Sequence, residues 1–186
     1  MHLPNSHFSR SIGAAVLACA IALATLAVSA ATASPTRHAE PFTSAGTPIC
    51  ATSGLVVWLD TQGDGAAGST YFNLEFANLS GHACTLLGYP GVSAVNLVGK
   101  QLGSAASRDK SGKPATVKLA AGGSATVVLR ITDVGVFSSS ACHQTTAAGL
   151  RVYPPNQTVS RVVPFPFAAC THTGTVYLSV EAVKKA

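Results

Sequence analysis

The chain has 186 residues, of which 12 are Lys or Arg and 7 are Asp or Glu, so charged residues make up 10% of it, against about 25% in an ordinary soluble protein. Hydrophobic residues at 47% exclude a disordered polymer, and the 17 glycines lack the strict period of collagen. A formal charge of +5 falls short of the dense Lys/Arg stripe that nucleic-acid binding uses, and the length suits one compact domain.

Residues 1–10 are polar with one Arg, and residues 12–31 carry no charge and are dominated by Ala, Leu, Val and Ile. The apolar run ends in Ala31-Thr32-Ala33, an A-x-A pattern followed by Ser34, which predicts a signal peptide over residues 1–33 cleaved after Ala33. The alternative is an uncleaved membrane anchor, which would leave the same domain outside the membrane. Val16-Leu17-Ala18-Cys19 has a faint likeness to a lipidation motif, yet the apolar run continues well past Cys19, where a lipidated Cys normally closes it. Cys19 is therefore read as a small apolar residue of the signal. Residues 34–49, rich in Ser, Thr, Pro and Gly, read as a flexible lead-in, and the folded unit as residues 50–186.

From Cys50 onward apolar residues recur with period 2, and no window offers a long repeat at 3.6. Leu55, Val57 and Leu59 alternate with Val56, Trp58 and Asp60, and Phe72, Leu74 and Phe76 with Tyr71, Asn73 and Glu75. Ala125, Val127, Leu129 and Ile131 against Thr126, Val128, Arg130 and Thr132 predict a third strand, and Val176, Leu178 and Val180 against Tyr177, Ser179 and Glu181 a last one. Weaker strands are predicted near 84–87, 92–97, 116–119, 150–153 and 158–163, and a short helix within 138–148. Turn signals stand at Gly63-Asp64-Gly65, Ser80-Gly81, Tyr89-Pro90-Gly91, Gly122-Gly123 and Pro154-Pro155-Asn156. The expected fold is an all-β, two-sheet antiparallel sandwich, immunoglobulin-like in architecture only, because Trp58 follows Cys50 too closely for a true immunoglobulin domain.

Without the signal four cysteines remain, Cys50, Cys84, Cys142 and Cys170, an even number in an exported chain and the usual sign of two disulfides. Three pairings are possible; nearest-neighbour pairing, Cys50 with Cys84 and Cys142 with Cys170, is the favoured one, each bridge worth about 3 to 4 kcal/mol on the chain-entropy account. His82, His143 and His172 each lie within two residues of a Cys. No zinc-ligand spacing accompanies them and oxidation would consume the thiolates, so no metal site is expected.

Gly63-Asp64-Gly65-Ala66-Ala67-Gly68 matches G-x-G-x-x-G, but a strand pattern follows it and no helix N-terminus is on offer for a phosphate. Asp60, Gln62, Asp64 and Gly65 fit the start of a calcium loop, whose twelfth position holds Tyr71 instead of a bidentate Glu. G-x-S-x-G, S-x-x-K and H-E-x-x-H are all missing. A triad of Asp133, His143 and one of Ser138 to Ser140 could only be assembled in space. Residues 100–118 carry Lys100, Arg108, Asp109, Lys110 and Lys113, a solvated loop or a surface for an acidic partner. Trp58, Tyr71 and Tyr177 fall on nominal outer faces, where they could stack on sugars or be covered by neighbouring structure. Asn78-Leu79-Ser80 and Asn156-Gln157-Thr158 are glycosylation sequons.

Cys50, the stretch Gly68-Ser69-Thr70-Tyr71 leading into Phe76-Ala77-Asn78-Leu79-Ser80-Gly81, and above all Cys84-Thr85-Leu86-Leu87-Gly88-Tyr89-Pro90-Gly91-Val92 resemble a secreted domain of unknown function common in actinobacteria, family forty-two thirty-two. Leu150-Arg151-Val152-Tyr153-Pro154-Pro155, Cys142 and Cys170 agree with it. The resemblance implies an exported β-sandwich with two disulfides and supplies no catalytic residues. The expected function is a secreted or cell-envelope, non-catalytic binding or interaction module; the alternatives are an envelope hydrolase and a metal-binding protein. No cofactor is expected. The partner class is left open between an envelope polymer and a protein, without nucleic acid, and with membrane only through an uncleaved signal or a lipid.

Overall fold

The computed structural model describes residues 46–186; the predicted signal peptide over 1–33, Cys19 and the lead-in up to residue 45 lie outside the described residues. Twelve strands follow in chain order: β1 Leu55–Ala66, β2 Ser69–Asn78, β3 Cys84–Leu86, β4 Gly91–Val95, β5 Gln101–Leu102, β6 Ser107–Arg108, β7 Val117–Leu119, β8 Ser124–Thr132, β9 Gln144–Tyr153, β10 Arg161–Cys170, β11 Leu178–Val180 and β12 Lys184–Lys185. The larger sheet has the order β1-β2-β8-β11-β6, with β12 also paired to β8; the smaller has the order β10-β9-β4-β5; β3 and β7 form a separate ribbon. Every pairing is antiparallel except β11 with β6.

Period-2 alternation turns one face of each large sheet inward. Leu55 and Leu59 of β1, Leu74 and Phe76 of β2, and Val127 and Leu129 of β8 join Val92, Ala94, Leu150, Val152 and Val163 of the smaller sheet in one buried cluster. Each of these side chains except that of Ala94 contributes about 1.5–3 kcal/mol by leaving water. Phe72 of β2 meets Phe165 of β10 edge to face at 5.1 Å, an aromatic contact across the two sheets. The fold is thus the expected all-β sandwich. Neither disulfide joins the two large sheets, which departs from the immunoglobulin arrangement.

Local expectations differ from what is found at several points. The turn expected at Gly63-Asp64-Gly65 is strand: β1 continues through these residues and reverses at Ala67-Gly68, whose φ values of 41° and 76° give the sign pattern of a tight type I′ hairpin turn. The register shifts between Asp60 and Asp64, and there a Cβ on Gly63 would come within 2.6 Å of the Phe72 ring, so the irregularity requires glycine. The strand expected to end at Val163 runs on as β10 through Pro164 and Pro166, which a sheet tolerates because β10 is an edge strand and the register breaks between Pro164 and Phe167. The expected helix is one turn, Ser139–Cys142, capped by the Ser138 hydroxyl, and β9 takes the rest.

Tyr177, on a nominal outer face by alternation, is covered by neighbouring structure, one of the two readings its position allows. All three residues of β11 are buried because the strand is flanked by β8 and β6 and covered on both faces, so alternation carries no information there. Tyr177, just before it, is 1% exposed and its hydroxyl donates to the Leu102 carbonyl at 3.2 Å. Burial pushes its phenol up to about 12.

The structure pairs Cys50 with Cys84 and Cys142 with Cys170, across separations of 34 and 28 residues. The first bridge fastens the entering chain alongside β3, where Cys50 N–H donates to Thr85 O and Thr85 N–H to Pro48 O. The second ties the helical turn to the end of β10, beside backbone hydrogen bonds from Thr171 N–H to His143 O and from His172 N–H to Cys142 O.

Candidate functional site

Residues opposed across a sheet point to the same side. With Leu55, Leu59, Leu74 and Phe76 facing the core, Val56, Trp58 and Asp60 of β1 and Tyr71, Asn73 and Glu75 of β2 face away from it. The register carries these positions across the sheet as three rows. One holds Trp58, Glu75, Thr126 and Lys184; the next Asp60, Asn73 and Val128; the third Asp64, Tyr71, Arg130 and Ser179. Trp58 is 39% and Tyr71 36% exposed, and they are the only aromatic residues among the exposed large hydrophobics of the described residues. Tyr71 stands four residues from Glu75, the partner of Trp58, so the two aromatic positions lie about 14 Å apart along the strands.

The polar groups between the rings are not spent on the protein. Among the described residues the side chains of Asn73, Glu75, Arg130 and Asp64 make no hydrogen bond; Asp60 Oδ1 accepts only from the Gln62 N–H, at 3.1 Å. Lys184 lies 3.5 Å from Glu181 in an exposed ion pair. Thr126 Oγ1, in the Trp58 row, is the one buried side-chain polar atom without a partner among the described residues. With Lys184 paired to Glu181, the carboxylates of Asp60, Asp64 and Glu75 outnumber the one remaining cation, Arg130.

The other sequence-predicted residues fall elsewhere. The Cys142–Cys170 bridge brings His143 and His172 together, edge to face with ring centroids 5.7 Å apart, and His143 lines a cavity of about 550 Å³ with Phe137, Ser139, Gln144 and Thr171. His82 is separate, its Nδ1 3.0 Å from the Ser80 carbonyl. No group of three His, Cys, Asp or Glu is placed to hold a metal ion among the described residues. Asp133 Oδ1 accepts from Gly135 N–H at 2.9 Å and Ser138 Oγ bonds Ser140 Oγ at 3.1 Å, while the His143 ring makes no hydrogen bond among the described residues, so the three triad components are not linked. The calcium-loop residues Asp60, Gln62, Asp64 and Gly65 lie along β1 as extended strand.

The basic stretch 100–118 is not one loop: it contains β5, β6 and part of β7, and Arg108 stands over the Tyr89 ring at 5.7 Å. Asp109 in it is held below the usual carboxylate range by hydrogen bonds from Ser111, with Arg130 a smaller influence. The sequon residue Asn78 is fully buried.

Two features escaped the sequence. The rows above join residues of β2 and β8 that lie far apart in the chain, and only the pairing register reveals them. The second is the β4–β5 turn, where Leu97 and Val98 are 95% and 86% exposed. Asn96 Oδ1 accepts from Val98 N–H and Lys100 N–H, and the Arg151 guanidinium donates to Gly99 O, so this apolar tip is held firmly. The Asn96…Gly99 spacing is its sequence signal, which the expected strand through residue 97 obscured.

Residues 50–184 match a family described as "Domain of unknown function (DUF4232)". No curated protein matches the chain, and no solved structure does.

Proposed function

The chain belongs to the DUF4232 family, and from that premise and the geometry above we propose that it is an exported, non-catalytic binding domain of the cell envelope or its surroundings. Export rests on the signal pattern over residues 1–33 and on two disulfides, which persist in oxidising compartments. No helix among the described residues is long and apolar enough to cross a membrane. The observation that carries the binding role is the gathering of both exposed large aromatics, with unspent polar side chains between them, on the outer face of the β1-β2-β8 sheet.

Expression of the full-length gene in its own host tests both parts. The protein is expected outside the cytoplasm, starting at Ser34, with an intact mass about four hydrogens below that of the reduced chain, and it is expected to sediment with protein-stripped envelope. Recovery from the cytosol with Met1 present and all five cysteines as free thiols refutes export; failure to sediment refutes the binding role.

A further inference from the structure

Resting on that reading of the chain as an envelope binding domain, we infer that the outer face of the β1-β2-β8 sheet is a binding site for a linear, uncharged oligosaccharide chain. Its exposed aromatic side chains are Trp58 and Tyr71. A sugar ring presents C–H groups on its faces and hydroxyls around its edge, and half-exposed indole and phenol rings suit such a surface, apolar on one side and wet on the other. The span of about 14 Å between the aromatic positions is one that roughly three linked sugar rings cover.

The polar complement points the same way. Each hydroxyl is a donor and an acceptor, and the strip between the rings offers acceptors in Glu75 and Asp60, donors in Arg130, and both in the Asn73 amide. Asn73, Glu75 and Arg130 are hydrogen-bonded to nothing else among the described residues. A polyanion would be repelled by the three carboxylates, and Arg130 standing among them breaks up the field that would draw a polycation. A protein partner would seek a contiguous apolar centre, whereas the polar row of Asp60 and Asn73 separates the two rings. The site also lies on paired strands, not on a loop: β2 and β8 run in unbroken register from Ser69↔Thr132 to Ala77↔Ser124, so little ordering is needed on binding.

Trp58 is the chain's one tryptophan, so its emission reports on this face alone. The exported protein is titrated with cellotetraose, chitotetraose and mannotetraose, and with the host's envelope polysaccharide freed of protein and lipid. A saturable change in emission with at least one of these is expected, with Kd raised about tenfold in Tyr71→Ala and unchanged in Leu97→Ser. Trp58→Phe, read by sedimentation with the polysaccharide, is expected to lose binding, and thermal unfolding of each variant confirms that it folds. If no carbohydrate alters the emission while the protein still sediments with envelope, the glycan assignment is overturned and the binding role stands; if neither occurs, both fall. Equal binding by folded Tyr71→Ala and the unaltered protein overturns the placement on this face.

Discussion

Asn78 ends β2 with no exposed surface and a saturated amide. Its Nδ2 donates to the His82 carbonyl at 2.8 Å and the Ala120 carbonyl at 3.0 Å, with Leu119 O at 3.4 Å behind; its Oδ1 accepts from Ser80 N–H at 3.1 Å and Ser80 Oγ at 2.7 Å. One side chain therefore joins the end of β2, the Ser80-Gly81 turn and the connection from β7 to β8, and a glycan on this sequon is incompatible with the fold. Asn78→Ala removes four good hydrogen bonds, each worth about 0.5–1.5 kcal/mol net. Ser80 Oγ keeps its bond to His82 O, and water reaches most of the freed groups, but Leu119 O is buried and is left without this donor. The expected loss is about 3 kcal/mol.

Equilibrium unfolding in urea, with disulfides intact and Trp58 emission as probe, measures it. For a slope of about 2 kcal/mol per molar the midpoint should fall by about 1.5 M. Asn78→Asp sharpens the test, since it keeps the acceptor for Ser80 but sets a second carboxylate oxygen against the carbonyls of His82 and Ala120. It is expected to cost at least as much as Asn78→Ala at pH 7. A loss under about 1 kcal/mol for Asn78→Ala, or an Asn78→Asp protein as stable as the original, would refute the amide's role as the donor that joins these three segments.

Three further outcomes are expected. Tyr177 has its phenol raised from 10.0 to about 12, so its contribution to stability is complete below pH 10 and is lost as pH rises through about 12; Tyr177→Phe should flatten that part of the alkaline unfolding profile, and an unchanged profile defeats the assignment. Ala67 holds a positive φ that L-residues other than Asn and Asp avoid, so Ala67→Asn, giving Asn-Gly at the hairpin turn, should gain about 0.5–1 kcal/mol in urea unfolding. Replacing Cys50 and Cys84 together by Ser should cost about 4 kcal/mol from the 34-residue separation, a fall of more than about 10 °C in Tm by calorimetry, and an unaltered Tm would contradict it.

The strands that sequence displays are those with one covered face. β2 alternates cleanly because the core lies on one side and solvent on the other, whereas β8 does so only from Val128 to Ile131, with Thr126 buried on the outer side. β11 breaks the rule through burial on both faces, so alternation alone does not tell whether Tyr177 is exposed or covered. The far half of β1 was legible only as glycine punctuation, because both of its faces meet water and its glycines serve a register shift instead of a turn. Prolines hid the end of β10 for the opposite reason: they exclude a central strand, and nothing local reveals an edge. Of the candidate site, the outward direction of Trp58 and Tyr71 followed from alternation alone, but the neighbours that give the face its chemistry did not. Arg130 stands beside Tyr71, and Thr126 beside Glu75, through pairings between residues more than fifty positions apart.

Scarcity of charge gives the face its meaning. A surface that meets water mainly through Thr, Ser, Gly and Ala has little use for isolated carboxylates, yet three of the chain's 7 acidic residues, Asp60, Asp64 and Glu75, stand in adjacent rows of one sheet face. None forms an ion pair among the described residues, where the one salt bridge joins Lys184 to Glu181. Exposed charges without partners add almost nothing to stability, so folding does not account for their clustering around Asn73 and the two aromatic rings. The disulfides join neither β1 nor β2: they fasten the entering chain to β3 and the helical turn to β10. The face is held by strand pairing and by the core packed behind it, and is open along its length to an extended ligand.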